Sequence, residues 1–224
     1  APFYYSSGHR YFVLFVDDYS RYTWFFPMKL KSDLYAIFDH FRALVERSFN
    51  RKIVSIQSDL GAEYKKLHSH FLKLGIRHRQ SCAYTHEQNG KVERKHRHIV
   101  ETGLTLMARA SIPSRFWDYA FETAVYLINK MPSAVLHNSS PHSLLHRSPP
   151  SYSFLRVFGC LCYPHMRPYN RHKMSYRSSP CVFLGYPESF RGYRCMDLQT
   201  NKIYVCKHVR FDEMVFPFAA KTVL

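Results

Sequence analysis

The pattern of apolar and polar positions divides the chain into a mixed first part and a strand-rich last part. Tyr11 to Val16 is a near-continuous apolar run, Asp17-Asp18-Tyr19-Ser20 supplies a turn, and Tyr22 to Pro27 is a second, aromatic run. Together they predict a hairpin of two central strands. From Lys31 to Arg47 the apolar residues Leu34, Ile37, Phe38, Phe41, Leu44 and Val45 recur at helical spacing on one face. Ile53 to Gln57 reads as a short buried strand ending at Asp59, Ala62 to Leu74 as a helix closed by Gly75, and Ile76 to His78 as another short strand. A polar loop, Gln80 to Gln88, leads to a helix from Asn89, a good N-cap residue, to about Ala110. Pro113 opens the next helix, where Phe116, Trp117, Ala120, Ala124, Leu127 and Ile128 form an apolar stripe. Alternation of this kind predicts an α/β layer fold, with Trp117, Tyr126 and Ile128 as helix core.

The texture changes at Ser139 to Ser153, where prolines and serines surround one short apolar helix, Ser143 to His146, and a linker is expected. Beyond it, Leu155 to Tyr163, Pro180 to Tyr186, Tyr193 to Asp197, Lys202 to Cys206 and His208 to Phe211 are strand-like and separated by Gly185, Gly192 and Asn201. That spacing predicts a second domain, a small β-barrel or sandwich.

Charge sharpens the picture. Lys and Arg number 32 against 16 Asp and Glu, a formal +16, while 46% hydrophobic and 17% aromatic residues exclude a disordered basic tail. No apolar run is long enough to span a membrane and the first residues lack the features of a signal peptide, so no membrane partner and an intracellular location, nuclear or cytoplasmic, are expected. The six cysteines form no CxxC pair and read as buried thiols rather than zinc ligands or disulfides.

Two carboxylates stand out. Asp59 ends an apolar run, and Glu93 opens a basic helix, Lys91-Val92-Glu93-Arg94-Lys95-His96-Arg97. Mg²⁺ prefers a few carboxylate oxygens, with water and substrate phosphate completing its shell. Two such ions stabilise the attacking and leaving oxygens of an in-line phosphoryl transfer. Asp59 and Glu93 are therefore candidate catalytic residues and ligands of a Mg²⁺ or Mn²⁺ pair. Lys91, Arg94, Lys95 and Arg97, with Gln88 and Asn89 near the scissile phosphate, are candidate DNA contacts, since Lys and Arg on phosphate supply most non-specific affinity. Residues three and four apart share a helix face, so Arg94 and Arg97, or Lys91 and Lys95, can line one groove. Arg77, His78 and Arg79 would extend it, and Arg156, Arg167, Arg171, Lys173 and Arg177 are further candidate DNA contacts. The plainer alternative is a solvated basic helix and an unrelated turn Asp.

Phe15-Val16-Asp17-Asp18-Tyr19-Ser20-Arg21-Tyr22-Thr23-Trp24, Ser58-Asp59 with Gly61 and Glu63, Gln88-Asn89-Gly90 with Glu93-Arg94-Lys95-His96-Arg97, Phe116-Trp117, Tyr126-Leu127-Ile128-Asn129, Phe158-Gly159-Cys160, Val182-Phe183-Leu184-Gly185-Tyr186 and Val209-Arg210-Phe211-Asp212-Glu213 occur in this order. In that order they resemble the integrase region of copia-type LTR retrotransposon Pol polyproteins, and the resemblance covers essentially the whole chain. It implies an RNase H-like integrase core with a mixed sheet flanked by helices over residues 1–137, a linker over 138–153, a small src-homology-3-like β-barrel over 154–218 and a tail over 219–224. The implied activity is DNA integration: 3′ hydroxyls of element ends attack target DNA, assisted by Mg²⁺ or Mn²⁺, in a protein that works as a homo-oligomer.

By the same resemblance, Asp59 and Glu93 correspond to the second and third acids of an Asp-Asp-Glu triad. The first acid falls in an Asp-x-x-Gly-Pro opening upstream of a segment like Pro2 to Gly8, so the core is expected to lack its first strand and to be inactive as it stands. Asp17 is expected to terminate its strand rather than replace that acid, with Asp18 and Ser20 as turn formers. Leu60, Ala62 and His86 depart from the family pattern of Asn, Gly and Pro. Glu63 is expected to favour the start of its helix rather than bind metal. The readings carried forward are an integrase-type transferase, a catalytically dead DNA-binding remnant, and an RNase H-like nuclease.

Overall fold

The computed structural model describes residues 8–59, 61–81, 89–167, 174, 176–188 and 190–220. Strands β1 (Tyr11–Val16) and β2 (Thr23–Met28) form a two-stranded sheet. The turn between them closes on itself: Asp17 Oδ2 accepts hydrogen bonds from Ser20 N at 2.8 Å and Ser20 Oγ at 2.7 Å. A 3₁₀ turn, Lys31–Asp33, precedes helix α1 (Leu34–Phe49), because Asp33 Oδ2 accepts from the Leu30 backbone N–H at 2.9 Å and tightens the entry. Helix α1 buries Leu34, Phe38, Phe41 and Val45, the predicted stripe, and stops where Asn50 adopts φ 49°. Strand β3 (Ser55–Ser58) and strand β4 (Arg77–Gln80) pair in parallel, joined by helix α2 (Ala62–Lys73), which Gly75 ends at φ 71°. Phe38 of α1 meets Phe71 of α2 edge-on at 4.8 Å, and both are essentially inaccessible to solvent. Among the described residues these strands form two two-stranded sheets, β1-β2 and the parallel β3-β4.

Helices α3 (Gly90–Arg109), α4 (Trp117–Lys130) and α5 (Pro141–His146) follow. The expected linker contains α5, which is ordered by a capping box: Ser143 N donates to Ser140 Oγ, and Ser140 N to Ser143 Oγ, both at 3.1 Å. Trp117 and Ile128 of α4 are buried as predicted, and Tyr126 stacks on Tyr186 at 4.0 Å. Asn129 is satisfied by Thr23, whose N–H donates to Oδ1 at 2.9 Å and whose carbonyl accepts from Nδ2 at 2.8 Å.

The last part is an antiparallel five-stranded sheet of β5 (Leu161–Pro164), β6 (Cys181–Phe183), β7 (Tyr193–Asp197), β8 (Ile203–Cys206) and β9 (Val209–Asp212), in the order β8-β7-β6-β5-β9. Its interior holds Cys160, Cys162, Cys181, Phe183, Tyr186, Tyr193 and Cys195. The expected strand from Leu155 begins only at Leu161. Gly159 takes φ 80° with its Cα against Ala110, where a Cβ would lie 2.3 Å from the alanine methyl, and this bend precludes extension.

By compactness the chain separates into two units. One holds the described residues up to Phe15 and Phe25–His98, the other Val16–Trp24 and the described residues from Ile99 onward. The division falls inside the hairpin and inside α3. Within the second unit, α4 is seated on the barrel sheet by an ion pair, Arg194 Nη1 to Glu122 Oε2 at 3.0 Å. The Arg194 guanidinium lies 4.6 Å from the Tyr119 ring centre.

Candidate functional site

Asp59 and Glu93 both lie in the first compact unit. Asp59 follows β3, at the C-terminal end of the parallel pair, and its side chain is exposed. Its Oδ1 accepts a hydrogen bond from Gly61 N at 3.0 Å, forming an Asx-type turn. Glu93 lies in the first turn of α3, also exposed, where a carboxylate is favoured by the helix dipole. The donors present are carboxylate oxygens, which fit a hard divalent cation in kind. In number they fall short: no group of three or more His, Cys, Asp or Glu placed to hold a metal occurs among the described residues.

The helix face around Glu93 follows from its sequence. Ile99, Gly103 and Met107 are buried, while Lys91, Arg94 and Arg97 are exposed and Lys95 is half-buried. At about 100° per residue, Arg97 lies one turn beyond Glu93 on the same flank, and Lys91 and Arg94 occupy the side away from the core. Arg94 folds back over the helix start, so that a Cβ on Gly90 would come 3.3 Å from Nη1. His96 stacks nearly flat on Phe12, with ring centres 5.2 Å apart, and partial burial holds its pKa below the ordinary value. Asn89 precedes the helix and is half-buried, whereas Gln88, Leu60, His86, Arg171 and Lys173 lie outside the described residues, as do the side chains of Ala62 and Glu63.

Asp17 and Asp18 behave as turn formers. Asp17 is engaged by Ser20, Asp18 pairs with Arg21 at 2.6 Å, and this turn belongs to the second compact unit. Arg156, considered for DNA, is occupied instead. Its guanidinium lies 5.3 Å from the Phe211 ring centre, donates to the Ser153 carbonyl at 3.1 Å and approaches Glu213 at 3.8 Å.

Behind Asp59, sequence reasoning places His78 only among the candidate DNA contacts and gives Ser58 and His68 no role. Ser58, buried, donates from Oγ to the Asp59 carbonyl at 2.9 Å, and its Oγ is 2.9 Å from His78 Nε2. His78 Nδ1 is in turn 3.0 Å from His68 Nδ1 on α2. Burial, and then the nearby His68, hold the His78 pKa below its ordinary value. Only the parallel register brings β4 beside β3, and no local pattern signals it.

Residues 160–223 match the family model of the retroviral polymerase SH3-like domain. Over 98% of its length the chain is 49% identical to the retrovirus-related Pol polyprotein from transposon RE1 of Arabidopsis thaliana, and over 95% it is 46% identical to that from transposon RE2 of the same plant. The counterpart from transposon TNT 1-94 of Nicotiana tabacum is 38% identical over 92%. The chain spans only 15 to 16% of the length of these relatives. Among solved structures it is similar to a chain in the cryo-EM structure of the simian T-cell lymphotropic virus intasome in complex with PP2A regulatory subunit B56 gamma. That match has a TM-score of 0.50 and 18% identity over 93% of this chain and 74% of the other, a likeness that speaks for the fold. The chain is thus a homologue, over nearly its whole length, of one segment of the retrovirus-related Pol polyproteins of copia-type transposons, and it carries a retroviral polymerase SH3-like domain at its C-terminal end.

Proposed function

We propose that this segment is the catalytic and DNA-handling part of an integrase, whose reaction is metal-dependent strand transfer. The observation that carries the reading is the presence in one compact unit of two exposed carboxylates, Asp59 at a strand end and Glu93 in a helix first turn, with a solvent face of Lys91, Arg94 and Arg97 beside Glu93. Asp59 and Glu93 would hold Mg²⁺ or Mn²⁺, which when bound stabilises the attacking and leaving oxygens of the phosphodiester exchange. The basic face holds the DNA backbone, for element ends and target alike, without reading sequence. The full-length protein acts as a homo-oligomer, and the intasome likeness is consistent with such an assembly.

A second reading has its own support. The two acids have no third partner among the described residues, and losing one member of a cooperating catalytic set typically costs several orders of magnitude. On our proposal the remaining acid comes from polypeptide upstream, so this chain alone binds DNA and does not join it. The test is Mn²⁺-dependent strand transfer with a labelled oligonucleotide, comparing this chain with a version extended upstream, each also carrying Glu93→Gln. Joining by the extended form only, abolished by Glu93→Gln, is the expected result. Glu93-dependent joining by the short form would show that the first acid is misplaced. Joining by neither form would favour a DNA-binding remnant.

A further inference from the structure

The hydrogen bonds behind Asp59 admit one proton assignment when both histidines are neutral. Ser58 has a single hydroxyl hydrogen, and it is directed to the Asp59 carbonyl. Its Oγ must therefore accept from His78 Nε2–H, which leaves Nδ1 of a neutral His78 bare. That bare nitrogen accepts from His68 Nδ1–H. The chain runs from α2 through β4 to β3 and ends on the peptide that bears Asp59. Phe71, edge-on to the His78 ring at 4.8 Å, fixes the ring plane from α2.

We propose that His78, steadied by His68 and acting through Ser58, is a positioning residue for the Asp59 carboxylate. The inference rests on the reading of Asp59 as a metal ligand. The need for it lies in the sheet. The β3–β4 ladder ends at Ser58 opposite Gln80, and among the described residues Ser81 N, 3.2 Å from the Ser58 carbonyl, continues it. Asp59 therefore steps off the last rung, with Gly61 N on one carboxylate oxygen and its own carbonyl otherwise held by Ser58. The His78–Ser58 brace orders the Asp59 peptide before a ligand binds, so that this ordering is not repeated at each binding event. His78 is a positioning residue and not a catalytic one, because its ring contacts Ser58 rather than the carboxylate.

Two measurements on the intact chain test this. Long-range ¹H–¹⁵N NMR of the imidazoles at neutral pH should show His78 protonated at Nε2 and His68 at Nδ1, and Ser58→Ala should remove the preference at His78. Mn²⁺ titration, followed by paramagnetic broadening of the Gly61 amide, should show affinity weakened roughly 10- to 100-fold in His78→Ala and Ser58→Ala, as for other partners behind a metal ligand. His78→Gln, whose side-chain amide can still donate to Ser58, should recover most of the loss. If His78→Ala does not fold, Ser58→Ala and His78→Gln decide between them. The opposite tautomer at His78, or Ser58→Ala binding Mn²⁺ as tightly as the parent, would overturn the positioning role while leaving Asp59 as a ligand. Failure of Mn²⁺ to broaden Gly61 even in the parent, with Asp59→Asn indistinguishable from it, would remove the metal-site reading and this inference together.

Discussion

Gly185→Ala should be among the most damaging single-methyl additions in the chain, and its cost can be worked from three contacts. Gly185 sits at φ 91°, where an L side chain is strained by about 1–2 kcal/mol. Its carbonyl is held by Arg194 N at 2.9 Å, so the strand cannot rotate away. A Cβ would stand 2.0 Å from Thr123 Oγ1 on α4, and Thr123 is only 1% exposed. The hydroxyl must leave, which breaks its 2.7 Å hydrogen bond to the Tyr119 carbonyl at a cost of about 1 kcal/mol. Residual overpacking adds about 1 kcal/mol or more. The expected loss is roughly 3–5 kcal/mol, read as a lowered urea midpoint by tryptophan fluorescence, for which Trp117 on α4 is a local reporter. Thr123→Ala supplies the control. It removes the clashing oxygen, so the double variant should be less destabilised than the sum of the singles by about 2 kcal/mol, leaving mainly the backbone strain. A loss below about 0.5 kcal/mol for Gly185→Ala, in the range of ordinary surface changes, or strict additivity in the double, would refute the close seating of α4 on the barrel sheet.

Three further outcomes are expected. The His142 ring, desolvated and lying near Lys130 and His146, is held down to a pKa of about 4. A histidine depressed in the fold contributes stability above its unfolded value of 6.5 that is lost as pH falls toward about 4, and a C2-proton NMR titration with a midpoint near 6.5 would contradict this. Cys160 and Cys181, pushed by burial up to about 12, and Cys162, raised further by its hydrogen bond to Cys195, should resist an aromatic disulfide reagent at pH 8 until the chain is unfolded; rapid native labelling of any of them would disprove that packing. Arg94→Ala and Arg97→Ala should each weaken binding evenly across DNA sequences and lower the slope of log affinity against log salt by about 1; unchanged slopes would show that this helix face does not meet phosphate.

Most of the fold was legible where one periodicity ran long enough. Leu34, Phe38, Phe41 and Val45 mark α1 because helical spacing repeats over four turns, and the strand-like runs of the barrel mark a β domain because turn residues separate them. The misses share a cause, contact between distant segments. Leu155 to Cys160 has strand composition, but Gly159 bends to lie against Ala110. Arg156 reads as a candidate DNA contact, and its packing over Phe211 is not visible in the sequence. At the candidate site, Asp59 and Glu93 could be proposed from the sequence because an acid and a basic helix lie in recognisable motifs. The series Ser58–His78–His68 was not legible, and His78 reads only as a DNA contact, because their relation exists only once β4 pairs with β3 in parallel.

A parallel pair with four residues in each strand has few ladder hydrogen bonds, and parallel strands are normally buried within larger sheets. Here Ser55, Gln57, Arg77 and Arg79 are exposed and alternate with Ile56, Ser58 and His78, which are half-buried or buried. The α2 side is anchored by Phe71 and Leu67, both nearly inaccessible, and the other side is polar. Backbone pairing of this extent fixes the course of β3 but not the peptide one step beyond it, where the carboxylate sits. Precision at that step has to come from side chains, and the only buried polar side chain in β3 is Ser58, the residue that donates to Asp59. Apolar contacts of α2 thus place the strands and a hydrogen-bonded series places the Asp59 peptide, so on the proposed reading of Asp59 as a metal ligand, damage to that series should alter metal affinity with little change in the fold.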